Sequence, residues 1–138
     1  FRKLVNKNGD VISRYIDTIK KDLSNNNKNL KFFVEKLDKG IDILDKFTNW
    51  IKEKMKTSKD DVSSACNDYL KVLGLVATAH AWIKVLEVSY NDYDSNKEFY
   101  EDKIQTANFY FNRVLPRIES HYLPATTGSK YIMNFKFN

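Results

Sequence analysis

The sequence predicts an all-α protein, an up-and-down bundle of about four long antiparallel helices. Apolar residues recur at three- and four-residue spacing over most of the 138 residues. Glycine and proline are scarce, at 4 and 2 residues, which disfavours the many tight turns of an all-β architecture. Hydrophobic residues make up 42% and charged residues 30%, as in a globular chain. This length suits one domain over residues 1–138.

The first helix is predicted to follow the Asn8-Gly9 turn, with Asp10 as its N-cap. Its apolar positions are Ile12, Tyr15 or Ile16, Ile19 and Leu23. The polar segment SNNNKN, residues 24–29, has no apolar side chain and is predicted to be the turn that ends this helix.

The second helix has the clearest pattern, with apolar positions that continue for more than three heptads. These positions are Leu30, Phe33, Leu37, Ile41, Leu44, Phe47, Ile51 and Met55. A single long stripe of this kind is typical of a helix in a bundle. Gly40 lies inside the helix and costs about 1 kcal/mol relative to alanine. The segment TSKDDVSS, residues 57–64, predicts a turn and a new helix start with Ser58 or Asp60 as the cap.

The third helix, residues 69–90, is apolar on nearly every side, which is typical of a central bundle helix or of a membrane span. Its longest uncharged run, residues 72–83, has 12 residues. A span requires about 20, so the pattern favours a buried central helix. Gly74, Ala77 and Ala81 form a small-residue face that another helix can approach closely.

The segment NDYDSNKE, residues 91–98, predicts a loop that ends in a capping box between Ser95 and Glu98. The apolar face of the fourth helix is Ile104, Ala107, Phe111, Leu115, Ile118 and Tyr122. Pro116 removes one backbone hydrogen bond, so a kink or an end is predicted there. Any helix that continues beyond Pro116 is predicted to end at Leu123-Pro124, and an aromatic tail follows.

No catalytic, cofactor-binding or metal site is predicted from the residues. The 4 glycines lie too far apart to form a phosphate loop. His80 and His121 have no Glu or Cys at ligand spacing, so each is expected to be satisfied by its surroundings. Cys66 is expected to fill space in the core. The adjacent acids Asp60-Asp61 and Glu101-Asp102 point about 100° apart on a helix and do not form an acid–base dyad.

The net charge of +5 comes from the first 60 residues, which hold 15 basic against 9 acidic residues. This interleaved pattern is typical of a solvated helix face. A free-standing adaptor or a membrane-surface module stays open as an alternative, on the lysines near the end of the second helix: Lys46, Lys52, Lys54, Lys56 and Lys59. Nucleic-acid binding is not expected, because the aromatic side chains lie in helices and mostly outside the basic half.

The third helix carries more apolar surface than three partner helices would cover. Such surface is typical of an interface. The tail, residues 126–137, is the alternative cover, and the sequence does not decide between the two. A small-ligand pocket between the third and fourth helices near Trp82 and Tyr110 is a further possibility, but no convergent polar set supports it.

Two motifs resemble a known family. YLKVLGLVATAHAW from Tyr69 and FYEDKIQTANFYFNRVLP from Phe99, with Gly128 near the end, are similar to the C-terminal helical extension of acyl-CoA dehydrogenases, in the methylmercaptopropionyl-CoA dehydrogenase-like branch. The matching positions are Tyr69, Leu70, Gly74, Trp82, Lys103, Ala107, Phe109 or Tyr110, Phe111, Leu115 and Pro116. The opening FRKLVNKNGDVISRYI is similar to the stretch after the dehydrogenase core. Phe1 and Asn108 stand where that family usually has glycine and arginine.

The resemblance implies the C-terminal domain of a longer FAD-dependent oxidoreductase of fatty acid metabolism. The catalytic glutamate and most of the flavin contacts would lie before Phe1, so no catalytic, cofactor-binding or metal residue is expected in this chain. FAD would belong to the full-length enzyme. The expected partners are the dehydrogenase core of the same polypeptide and further copies in a homo-oligomer, and the domain would also shape the acyl-CoA entrance. The same resemblance also implies that peripheral membrane contact is compatible with this domain. The expected location is the cytoplasm, or the mitochondrion if the protein is eukaryotic.

Overall fold

The computed structural model describes residues 10–23 and 28–134, and every regular element in these ranges is helical. The helices are α1 (Asp10–Asp22), α2 (Lys31–Thr57), α3 (Lys59–Asn91), α4 (Lys97–Phe109), α5 (Ile118–Ala125) and α6 (Lys130–Met133). The prediction of an all-α bundle is confirmed. Asp10, the predicted N-cap, is instead the first residue of α1, while the predicted turn at Asn8-Gly9 lies outside the described residues.

The long helices run antiparallel to their neighbours in sequence. Near the turn between α2 and α3, Lys54 forms an ion pair with Asp61 at 3.0 Å. Further from the turn, Thr48 shares a hydrogen bond of 2.8 Å with Tyr69. The two helices therefore lie side by side from the Ser58 turn onward.

The apolar stripes meet in one continuous core. The α2 stripe is buried, together with its N-terminal turn, at Leu30, Phe33, Leu37, Ile41, Leu44, Phe47 and Ile51, as predicted. The last predicted position, Met55, is only partly buried. Opposite them, the Phe111 ring is fully buried and packs edge-on against Phe33, with ring centroids 5.2 Å apart. Gly40 lies in the same core, where an added Cβ would meet Val76 at 3.6 Å.

The predicted N-caps of α3 and α4 have different outcomes. The Ser58 hydroxyl accepts a hydrogen bond from the Asp61 amide, which confirms Ser58 as the cap of α3. The predicted capping box at Ser95 is wrong. Asn96 caps α4 instead, with its side-chain oxygen accepting from the Phe99 amide at 3.3 Å, while the Ser95 hydroxyl donates to the Asp92 carbonyl. Serine and asparagine are both good N-caps, so where Ser95 and Asn96 are neighbours the path of the loop determines which of them caps the helix.

Pro116 interrupts the fourth helical segment, as predicted. The α-helix ends at Phe109 and is followed by a π-helical turn (Tyr110–Val114) and a 3₁₀ turn (Leu115–Arg117) that contains the proline. The missing proline N–H and the ring clash with the preceding turn explain the change of winding. The chain then continues as α5, which tolerates Pro124 and ends one residue later at Ala125.

The helix α3 is central, because it contacts α2, α4, α5 and α6. It is not buried on all sides, however, and in this respect the sequence prediction needs correction. By length and composition it is also a candidate membrane span, and one third of its most apolar stretch is buried. Its exposed side is the feature of the fold that bears on function.

Candidate functional site: the outer face of α3

The exposed side of α3 carries an uncharged stripe, called here the α3 outer face: Leu70, Gly74, Thr78, Ala81, Val85 and Val88. All six residues are exposed, with Leu70 at 65% and Val88 at 52%. Nothing lies within 4 Å of the position that a Cβ on Gly74 would take. Gly74 and Ala81 of the predicted small-residue face are therefore exposed, whereas Ala77 is partly buried, and no helix in the described part of the chain covers the face at Gly74.

Polar contacts fix the helices on the two flanks of this face. On one flank, His80 and Lys84 bind the Asp22 carboxylate of α1 at 3.0 and 2.9 Å. The hydrogen bond from Lys84, followed by that from His80, lowers the pKa of Asp22. On the other flank, the Tyr110 hydroxyl donates to the Leu75 carbonyl at 2.8 Å. These contacts hold both flanking segments in place and leave the stripe between them open.

An open apolar groove of about 390 Å³ lies beside the C-terminal end of the face. It is lined by Lys84, Val85, Val88, Ser89, Phe99, Tyr100 and Lys103. The Lys103 ammonium lies 4.9 Å from the centre of the Phe99 ring. The groove is between the third and fourth helices, as the sequence suggested, but it is near Phe99 rather than near Trp82 and Tyr110. Tyr110 is held in a structural hydrogen bond instead.

The tail docks on the bundle away from the outer face. The Ser129 amide and hydroxyl both donate to the Asp61 carboxylate at 2.8 Å. The hydrogen bond from the Ser129 amide is the largest cause that holds the pKa of Asp61 well below its usual range. The bonds from Lys54 and from the Ser129 hydroxyl lower this pKa further. Gly128 precedes the contact with a φ of 86°, a conformation that side chains disfavour.

Beyond this latch, Tyr131, Ile132 and Met133 are exposed. Leu70, Val85 and Val88 are exposed as well, so the described part of the tail, up to residue 134, does not cover the α3 outer face. Of the two covers that the sequence left open, the tail is thus ruled out over residues 126–134. Residues 135–137 of the predicted cover lie outside the described residues.

Each histidine has an acidic partner distant in sequence. His80 binds Asp22, and His121 Nδ1 lies 2.9 Å from an Asp68 carboxylate oxygen. Both histidines are therefore satisfied by the fold. The sequence missed these pairs, because partners more than 50 positions apart leave no local spacing signal.

The remaining reactive residues serve the structure. The Cys66 thiol donates to the Val62 carbonyl, and burial raises its pKa, so it is half-buried filler rather than an exposed thiolate. Within the adjacent acidic pairs, Asp61 is engaged by the tail and Glu101 accepts a hydrogen bond from the Tyr93 hydroxyl at 3.0 Å. Among the described residues, no group of three or more His, Cys, Asp or Glu side chains is placed to hold a metal ion.

The fold and this surface define an all-α helical domain whose most distinctive feature is a large uncharged face. The family model for the acetyl-CoA dehydrogenase C-terminal like domain matches residues 13–136. The chain therefore belongs to this family, and the resemblance to the C-terminal domain of acyl-CoA dehydrogenases is confirmed. The particular branch stays a prediction. No curated protein and no solved structure shows significant similarity to the chain.

Proposed function

We propose that this chain is the C-terminal helical domain of an FAD-dependent acyl-CoA dehydrogenase-like oxidoreductase, and that its role is packing rather than catalysis. The family match supports the parentage. The uncharged α3 outer face is the observation that carries the packing role, because contiguous exposed apolar surface marks a contact site. The active site and the flavin would then belong to the dehydrogenase core of the same polypeptide, whose acyl-CoA entrance this domain helps to shape.

The contacts of the titratable groups support this proposal. A catalytic base or acid needs a free atom directed at a substrate. The two histidines and Asp61 instead bind partners within the fold at 2.8 to 3.0 Å. The groove near Phe99 has an apolar floor, which suits a protein side chain better than a reacting centre.

The test of this proposal is flavin retention and turnover. The isolated chain is mixed with FAD and a saturated acyl-CoA, passed over a desalting column and assayed for flavin absorbance and for reduction of an artificial electron acceptor. We expect no flavin in the protein fraction and no reduction. Retained flavin together with acyl-CoA-dependent reduction would show that the chain carries its own active site.

A membrane-surface role is the second candidate, and one observation favours it. The latch between Ser129 and Asp61 brings the exposed Tyr131, Ile132 and Met133 to the end of the bundle at which Lys56 and Lys59 lie. Apolar side chains beside ammonium groups suit an anionic lipid interface. Lys54, by contrast, is already paired with Asp61.

Vesicle sedimentation tests this second role. Binding to vesicles with anionic lipid should fall steeply between low and high salt, since exposed charges are screened within about 8 Å at physiological ionic strength. An Ile132→Asp variant should bind more weakly, whereas Phe109→Asp, on α4, should bind like the wild type. Equal binding of all three proteins would exclude the tail as the contact.

A further inference from the structure

The groove at the C-terminal end of the α3 outer face is short and has two walls. One wall is α3 from Lys84 to Ser89, and the other is the start of α4 from Phe99 to Lys103. The α3 wall is about 8 Å long at 1.5 Å per residue. A helix of a partner protein would need a row of anchors about 10 Å long or more. The volume of about 390 Å³ instead suits a small molecule, at the lower end of the range for such sites.

The surface inside the groove is almost entirely apolar. Val88 and Phe99 are about half exposed, at 52% and 49%, so a ligand that covers them removes apolar surface from water. The Phe99 and Tyr100 rings pack edge-on with centroids 5.2 Å apart, an arrangement that leaves ring surface for an aromatic ligand. The Ser89 hydroxyl donates to the Val85 carbonyl at 2.7 Å, so its proton is already used.

Two lysines are the charged side chains among the described residues that line the groove, and they come from opposite walls. Lys84, on α3, binds Asp22 at 2.9 Å, and this bond raises its pKa, with a smaller contribution from Glu87. The charge of Lys84 is therefore largely compensated. The Lys103 ammonium, on α4, lies 4.9 Å from the centre of the Phe99 ring, and no carboxylate in the described part of the chain forms an ion pair with it. Lys103 thus supplies an uncompensated positive charge beside apolar surface.

This combination is complementary to a ligand that is apolar at one end and anionic at the other. We infer that the groove binds a small organic monocarboxylate whose apolar body is about as large as one aromatic side chain. The body covers Val88 and the Phe99 and Tyr100 rings. The carboxylate faces the Lys103 ammonium, because a hydrogen bond between two charged groups is stronger than one between neutral groups. The inference concerns binding alone, and it does not depend on the proposed packing function.

An NMR titration of the isotope-labelled chain tests the charge of the ligand. The chain can be used by itself, because its core is formed from its own helices. The probe is 3-phenylpropanoate, and 3-phenylpropan-1-ol and 3-phenylpropylammonium are its neutral and cationic analogues. The acid should bind with a Kd of about 1–10 mM, as expected for a ligand of this size, and should shift the amide signals of residues 84–89 and 99–103.

The analogues should bind more weakly than the acid. The alcohol should have a Kd about three to five times higher, which corresponds to the loss of one exposed ion pair. The ammonium compound should bind more weakly still, because both lysines repel it. Equal affinities for the acid and the alcohol, or signal shifts outside the two walls, would overturn the inference without any change to the protein.

Lysine variants separate the charge from the apolar surface. Lys103→Met keeps an aliphatic chain and removes the ammonium, so the Kd of the acid should rise about three- to fivefold and that of the alcohol should not change. Lys130→Met is the matched control, because Lys130 also lies over an aromatic ring, that of Tyr131 at 5.7 Å, but on α6. Val88→Thr should weaken the acid and the alcohol by the same factor. A Lys103→Met chain that binds the acid like the wild type would overturn the inference.

A longer ligand tests the size of the site. With dodecanoate below its micellar concentration, signal shifts confined to residues 84–89 and 99–103 would support a small site. Shifts that extend along the α3 outer face to Gly74 and Leu70 would identify a lipid chain as the occupant and overturn the inference. Flavin-dependent turnover by the isolated chain would overturn the proposed function and leave this binding site unaffected.

Discussion

Replacing Thr48 with valine is expected to destabilise the bundle more than replacing its partner Tyr69 with phenylalanine. The Thr48 hydroxyl lies 2.7 Å from the Leu44 carbonyl and 2.8 Å from the Tyr69 hydroxyl. Since Thr48 has one hydroxyl proton and donates it to Leu44, Tyr69 must be the donor in the bond between the two side chains. Both residues are buried, with exposures of 1% and 3%.

The two substitutions leave different groups unpaired. Tyr69→Phe removes the donor, but the Thr48 hydroxyl keeps its bond to Leu44, so the loss should be about 1 kcal/mol. Thr48→Val removes the acceptor and leaves a buried phenolic hydroxyl with no partner, at a cost of about 2–3 kcal/mol. In the double variant the unpaired hydroxyl is gone, so its loss should be smaller than the sum of the two single losses.

Urea denaturation followed by far-UV circular dichroism measures all three losses, provided that the m-value is unchanged. The reasoning would be refuted if Thr48→Val cost no more than Tyr69→Phe, or if the two losses were additive. Either result would mean that water reaches the Tyr69 hydroxyl and that the pair is not coupled.

The same pair predicts a pH dependence. Burial raises the pKa of Tyr69 to about 12, against about 10 in the unfolded chain. The unfolded state therefore releases its proton first as the pH rises. This contribution is fully present below pH 10 and is lost between pH 10 and 12, with a limit of about 3 kcal/mol. Because burial also raises the pKa of other tyrosines, the loss is measured as the difference between the wild type and Tyr69→Phe.

Three further predictions concern the core and its surface. Phe111→Ala should cost about 3–5 kcal/mol in a thermal or urea melt, because the ring is fully buried, whereas Phe109→Ala, 60% exposed, should change stability by less than about 0.5 kcal/mol. Gly40→Ala should stabilise α2 by up to about 1 kcal/mol, since the added Cβ meets its neighbours at 3.6 Å or more; a lower melting temperature would mean that the core cannot accept it. Lys103→Ala should cost at most about 1 kcal/mol, because the ammonium group contacts the exposed Phe99 ring; a larger loss would indicate an undetected buried acid.

Much of the fold could be predicted from the sequence, because spacing encodes burial directly. The three- and four-residue spacing of the stripe from Phe33 to Ile51 predicts a helix with one buried side. Proline fixes backbone geometry by itself, so the interruption at Pro116 could also be predicted. The cap of α4 could not, because Ser95 and Asn96 are both suitable and only the loop path selects one.

The candidate site was harder to predict, because it depends on which surfaces the other elements leave uncovered. The motif around Tyr69 and Gly74 indicated the family and the small-residue face, yet spacing could not show whether the tail would cover it. The latch from Ser129 to Asp61 decides that question for residues 126–134, and its partners are 68 positions apart. Long-range polar contacts of this kind determine what stays exposed, and no local pattern reports them.

The most direct measurement of the central claim is the accessibility of the α3 outer face in the full-length natural polypeptide. In a Cys66→Ala background, Gly74→Cys places a thiol in the middle of the face, and Leu123→Cys places a control thiol on α5, 61% exposed. If the face packs against another protein surface, maleimide should label the thiol at position 74 of the assembled protein at least about tenfold more slowly than the thiol at position 123. In the isolated chain, diluted to a monomer, the two thiols should be labelled at similar rates. Equal labelling rates in the assembled protein would show that the face stays open to solvent, and would contradict a packing role for this domain.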